Sequence, residues 1–287
     1  MNLIDFLTDL TNPALSFLPR ALVVAILAAI VCGVAGTHVI LRGMSFVGDA
    51  LAHAVFPGVA AAFALQGSIL LGGALAGVIV TLLITLFSQH RRLKEDSIIG
   101  VFFAAAFALG LVIMSRIPGY TGSLESFLFG SLNGSTDSDM LAVAGLGFLI
   151  VAILAFYHRK LVAVSVDRDY ATSLGISTLV ADLIIYLSVA AAVVISVQTI
   201  GNILVLALLI TPAAAARMLT DRVATMMIIS PAIGSLGAFL GIWASWAWDV
   251  PTGAMIVLIL TAIFILVWLF APKRGVVTGW LHATRQR

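Results

Sequence analysis

Charge is what this chain has least of. It carries 15 Lys and Arg, 13 Asp and Glu, and a net charge of +2, so that 10% of its 287 residues are charged. Soluble domains hold about 25%. Charge this sparse leaves no basic surface for nucleic acid and no ordinary solvated exterior. Cysteine is nearly absent as well. Cys32 stands alone, which excludes an intrachain disulfide and a thiolate cluster for a metal or redox centre. The dipeptide Gly-Lys does not occur, so the chain has no Walker A motif. No soluble stretch is long enough to be an ATPase, and any ATP hydrolysis belongs to another chain. The opening MNLIDFLTDLTNP lacks a basic region and a small-residue cleavage pattern, so no secretory signal is expected. Its Leu3, Ile4, Leu7 and Leu10 fit one face of a short interfacial helix.

Apolar sequence fills the space that charge leaves. Hydrophobic residues make up 62% of the chain, and residues 21–41, 69–87, 140–157 and 255–270 are near-continuous apolar runs. A bilayer core takes roughly 20 apolar residues per helix. The expectation is an all-α polytopic membrane protein with eight to nine transmembrane helices. Nine candidate spans cover residues 20–41, 44–65, 68–88, 97–115, 138–157, 178–198, 202–216, 224–248 and 251–270. An odd count places the two halves in opposite orientation, the arrangement of inverted repeats in transporters. One transmembrane domain then occupies 1–287, with an external lead-in at 1–19, a cytoplasmic segment at 158–177 and a cytoplasmic tail at 271–287.

Sidedness follows from the basic residues, which concentrate on the cytoplasmic side. Arg42, Arg91, Arg92, Lys94, Arg159, Lys160, Arg168, Arg217, Arg222, Lys273, Arg274, Arg285 and Arg287 share one set of loops; only Arg20 and Arg116 fall in the other. The first set is assigned to the cytoplasm, which puts the N-terminus outside and the C-terminus inside. Two stretches between spans carry structure of their own. Residues 116–137 contain ESFLFGSLNGS, a short helix folded back on the bundle. In 157–177, Asp169 is expected to cap a short helix that Gly175 ends. Such a helix suits the docking of a soluble partner, though a plain connection also fits these residues.

One stretch departs from the apolar pattern. GDALAHAVFPG places Asp49 and His53 four residues apart inside a hydrophobic run. That spacing puts both on one helical face. Ionisable groups in a membrane are costly and mark functional sites. A carboxylate with an imidazole suits Mn²⁺, Zn²⁺ or Fe²⁺, and without a thiolate it disfavours Cu⁺. A proton relay and a structural ion pair are the other two readings, and the residues leave all three open. Two side chains do not complete a coordination shell. Pro57, four residues after His53, would free the His53 carbonyl as a further ligand. Other polar residues read as structural. Asp182 is expected to reach the cytoplasmic interface, and His38 to sit in the first span. His90 and His158 fall in basic loops, His282 in the tail. Thr211 and Pro212 are expected to break a helix before the small residues 213–216.

The stretches LRGMSFVGDALAHAVFPG (41–58), KEDSIIGVFFAAAFALGLV (94–112), SLESFLFGSL (123–132), DRDYATSLGI (167–176) and VQTIGNILVLALLITPAAAA (197–216) occur in this order. Together they resemble the ABC-3 family, the manganese, zinc and iron permeases of ATP-driven metal importers. The resemblance implies a type II importer permease fold like that of the cobalamin importers. It implies a homodimer around a central path, two cytoplasmic ATPase subunits that bind the ATP, and an extracytoplasmic solute-binding protein that delivers the ion. No cofactor is held permanently, and the bacterial-type plasma membrane is the expected location. The resemblance assigns Asp49 and His53 to the transported ion. It assigns the segment holding Asp167, Asp169, Ala171 and Gly175 to a coupling helix that meets the ATPase. HAVFPG is closer in wording to the manganese-type members. The other functional class is a stand-alone, proton-coupled secondary transporter.

Overall fold

The computed structural model describes residues 3–271 except 45, 90–92, 94 and 117–135, together with residue 275. The helix expected within 116–137 falls on residues outside this set, as do His90 and His282. Among the described residues, the regular elements are helices. After α1 (Leu3–Asp9) and a 3₁₀ turn at Pro13–Leu15 come α2 (Phe17–Arg42), α3 (Val47–Ala54), α4 (Phe56–Ala64), α5 (Ile69–Ser88) and α6 (Glu95–Met114). The chain continues with α7 (Asp137–Val166), α8 (Arg168–Ser173), α9 (Thr178–Ile200), α10 (Asn202–Leu219), α11 (Val223–Trp248) and α12 (Thr252–Phe270). Nine stretches among the described residues are helical, long and apolar enough to cross a membrane, counting α3 with α4 as one. This is an all-α polytopic membrane architecture.

The bundle closes around α2, which packs against α7, α9, α10 and α11. Lipid tails are as apolar as leucine, so helices in a membrane associate by close packing and not by hydrophobic exclusion. Small residues allow it here. Ala25, Ala28, Ala29, Gly33 and Gly36 are buried along α2. A Cβ on Gly33 would meet the backbone of Pro231 in α11, and one on Gly36 would collide with the Leu209 carbonyl in α10. At its N-terminus α1 lies on α11. Phe6 is buried edge-on against Phe239, and the Trp246 indole N–H donates to Asp9 Oδ2 at 2.9 Å. Leu3, Ile4 and Leu7 stay exposed, whereas Leu10, expected on the same face, packs against the core.

Three element boundaries differ from the sequence reading. The second span is two helices that meet at Val55. Pro57 lies in the first turn of α4, where a missing N–H costs no helical bond. The Val55 N–H donates to the Leu51 carbonyl at 3.2 Å, and Pro57, four residues after His53, has no N–H to offer the His53 carbonyl. The fifth span runs on to Val166, and the first part of the cytoplasmic segment 158–177 is the end of that helix. His158 therefore sits in α7 and not in a loop, its ring edge-on to that of buried His38, with centroids 5.9 Å apart. Pro212 does not break a helix. It lies inside continuous α10, buried among neighbours that support the turn it weakens.

Candidate functional site

The α3–α4 break is what aims the opening pair. As an eight-residue helix, α3 points Asp49 and His53 to one side, and the two stand one turn apart with Asp49 Oδ1 3.5 Å from His53 Nε2. Their side chains are 28% and 19% exposed, so neither is sealed in the core. Aromatic rings from α6 bound the imidazole. Phe103 lies 5.6 Å and Phe107 5.4 Å from it, centroid to centroid. Phe46 packs on Phe103 and Phe56 on Phe107, which extends the wall along α3 and into α4. This apolar wall restricts water around one face of the imidazole and fixes its plane.

A third polar side chain joins the pair from across the bundle. Asn202 Nδ2 lies 3.2 Å from His53 Nε2. It is the first residue of α10, and its approach depends on Gly201. That glycine has φ 81° and ψ 158°, a region essentially closed to residues with a Cβ. Here the chain turns from α9 into α10. Sequence reasoning missed Asn202, which is 149 positions from His53. The available signal was a polar amide beside a glycine in the apolar run TIGNILV. Among the described residues, no group of three or more His, Cys, Asp or Glu side chains is placed to hold a metal. A metal ion at the Asp49–His53 pair would need donors of other kinds. The large cavity between α4, α5 and α6, about 630 Å³, supplies none. Its walls are apolar, with Pro57, Leu75, Ile79, Phe102 and Leu109 among them, and cannot solvate a cation.

The segment between α7 and α9 forms a second centre. Helix α8 begins at Asp167, whose carboxylate accepts from the Tyr170 N–H at 2.9 Å with extended backbone angles. Asp167 is the cap, not Asp169. A capping residue must be non-helical and reach the third helical amide, and Asp169 is already inside the exposed first turn. At the other end Gly175 has φ +75°, and the Ile176 N–H returns to the Ala171 carbonyl at 3.0 Å. Ala171 is buried beneath the helix, while Tyr170 and Leu174 are exposed on its outer side.

An internal charge network ties α8 to the spans. Arg168 donates to Glu95 of α6 at 2.7 Å and to Asp182 of α9 at 2.5 Å. From α2, Arg42 donates to Asp182 at 2.5 Å and to the Ser165 hydroxyl of α7 at 3.1 Å. The Gln89 amide donates to Asp182 at 3.1 Å. Asp182, one turn into α9, is fully buried among side chains from the ends of α2, α5 and α8. Three donors converge on its carboxylate, which makes burial tolerable. From α9, Tyr186 adds a hydroxyl bond to Glu95 at 3.2 Å and one to the Met44 sulfur at 3.3 Å, next to the start of α3. The network thus runs from the short helix to the chain just before the Asp49–His53 helix.

The profile of the ABC 3 transport family matches residues 14–271. A manganese transport system membrane protein, MntC, of Halalkalibacterium halodurans is 39% identical over 272 residues, covering 95% of this chain and 93% of the relative. A chelated iron transport system membrane protein, YfeC, of Yersinia pestis is 37% identical over 272 residues, covering 95% and 90%. Among solved structures, PsaBC from Streptococcus pneumoniae in complex with Fab superposes with a TM-score of 0.84 at 30% identity, covering 99% of this chain and all of that one.

Proposed function

We propose, on the premise that this chain belongs to the ABC 3 transport family, that it carries Mn²⁺ first, and Fe²⁺ or Zn²⁺ next, through an ATP-driven importer. The family membership makes it the permease of an ABC-type metal importer. The observation that carries the cargo assignment is the Asp49–His53 pair, one carboxylate and one imidazole, both partly exposed, with an amide beside them and no thiolate. The manganese relative at 39% identity favours Mn²⁺, and the chelated-iron relative at 37% keeps Fe²⁺ in view.

In the proposed assembly two copies of this chain enclose the path. An extracytoplasmic binding protein releases the ion to the outward-open dimer, where Asp49 and His53 take it up. Two ATPase subunits, the site of ATP hydrolysis, dock on the cytoplasmic side against α8. Their closure moves α8, and Arg168 passes that displacement to α6 and α9 through Glu95 and Asp182. The N-terminus is external and the C-terminus cytoplasmic in the bacterial plasma membrane.

Co-expression of the chain with candidate ATPases, purification and reconstitution into vesicles test the reading. Uptake of radioactive Mn²⁺ should require ATP, compete with Fe²⁺ or Zn²⁺, and survive a protonophore at clamped ATP. Uptake without any ATPase that collapses with the protonophore would instead mark a secondary, proton-coupled transporter.

A further inference from the structure

Among the described residues, the side-chain oxygen Oδ1 of Asn202 has no hydrogen-bond partner, although the residue is 3% exposed. A buried amide is normally satisfied, because its alternative in water makes full hydrogen bonds. Helix capping does not account for it. Asn202 is the first residue of α10, yet its oxygen accepts from no amide of that helix. Packing does not account for it either, since leucine would fill the same place without an orphaned polar atom. Among the described residues, the bond this side chain makes is to His53 Nε2. Its polar head is therefore aimed at the candidate ion site and incompletely used there.

We propose that Asn202 is a third protein ligand of the transported ion and tilts the site toward oxygen-preferring Mn²⁺ and Fe²⁺ over Zn²⁺. The proposal rests on the reading of Asp49 and His53 as ligands. With the ring proton on Nδ1, the Asn202 amide N–H donates to the lone pair of His53 Nε2 in the ion-free state. An arriving ion takes the lone pair and displaces the amide N–H. A half-turn of the amide then brings Oδ1 to the ion with no backbone movement. The resulting donors are a carboxylate oxygen, an imidazole nitrogen and an amide oxygen, from α3 and α10. Two oxygens to one nitrogen, with water completing the shell, suits Mn²⁺ better than the nitrogen- and sulfur-rich tetrahedra that Zn²⁺ favours. Because α10 follows α9 directly, and α9 carries Asp182, ion capture also reaches the helix to which α8 is tied.

The test is uptake by the reconstituted transporter with its ATPase at clamped ATP, using Mn²⁺ alone and Mn²⁺ against Zn²⁺. Asn202→Leu keeps the volume and removes the donor; the KM for Mn²⁺ should rise about tenfold or more, and the preference for Mn²⁺ over Zn²⁺ should fall. Asn202→Asp keeps an oxygen and adds charge, and should lower that KM. If Asn202→Leu does not assemble, Asn202→Asp decides alone. An unchanged KM and an unchanged metal preference would overturn the assignment. Asp49→Asn and His53→Ala, measured alongside, separate the two readings. Their loss of uptake with normal Asn202 variants removes Asn202 only, whereas their normal uptake removes the whole site.

Discussion

Arg168, the first residue of α8, bonds to Asp182, a fully buried carboxylate inside the membrane-spanning helix α9, at 2.5 Å. A single side chain thus joins the short helix α8 to the interior of the bundle. The same carboxylate holds Arg42 of α2, whose side chain is only 4% exposed. Movement imposed on α8 has a direct, charge-assisted route into two central spans.

The first prediction concerns that carboxylate. Asp182→Ala leaves the Arg42 guanidinium buried and unpaired, a loss of about 3–5 kcal/mol. The purified protein should melt markedly earlier in detergent. Replacing both partners with apolar residues, as Arg42→Met with Asp182→Leu, should recover most of the stability but not ATP-coupled uptake. A single variant as stable as the native protein would show that Asp182 is not the anchor of the network.

The second concerns the ends of α8. Nothing lies within 4 Å of a Cβ at Gly175, so any cost there is conformational. Gly175→Val forces a β-branched residue to φ +75°, a strain of roughly 1–2 kcal/mol. It should weaken ATPase co-purification and uptake together, while Gly175→Asn is better tolerated. At the other end, Asp167→Ala should cost about 1 kcal/mol through the lost cap. Asp169→Ala removes no helix cap and should cost less than Asp167→Ala. Thermal unfolding of the complex and the amount of ATPase retained on co-purification measure both. Equal effects of the two aspartates would contradict the capping assignment.

How far the sequence alone reaches can be judged on these same residues. Asp49 and His53 were legible because the relation is local: four residues apart on a helix means one face. The nine spans were legible because apolar length is a local property too. Asn202 and the surroundings of Asp182 were not. Their partners lie 149, 140 and 93 positions away, at His53, Arg42 and Gln89. An acid one turn inside a span is compatible with snorkelling to the interface or with burial, and only packing decides. The break at Val55 was half visible. Pro57 signalled an interruption, but a proline in a first turn and a proline kink look alike until the helix start is known.

Sidedness gives a third prediction. With Cys32 replaced by alanine, a cysteine at exposed Thr11 should react with an impermeant thiol reagent added outside intact cells. One at exposed Tyr170 should react only after the membrane is opened. Reversed labelling would place α8 outside, where no ATPase could meet it.

The central claim is that the cargo ion binds Asp49 and His53. Asp49→Asn keeps the shape of the side chain and removes its charge, and His53→Ala removes a nitrogen donor at a partly exposed position, so neither should impair folding. The most direct measurement is initial-rate uptake of radioactive Mn²⁺ into vesicles holding the assembled transporter at clamped ATP. Native, single-variant and double-variant proteins are compared at equal ATPase content. The account predicts that each single substitution abolishes uptake while the complex stays intact. Substantial ATP-driven Mn²⁺ uptake by a well-assembled Asp49→Asn, His53→Ala double variant would contradict it.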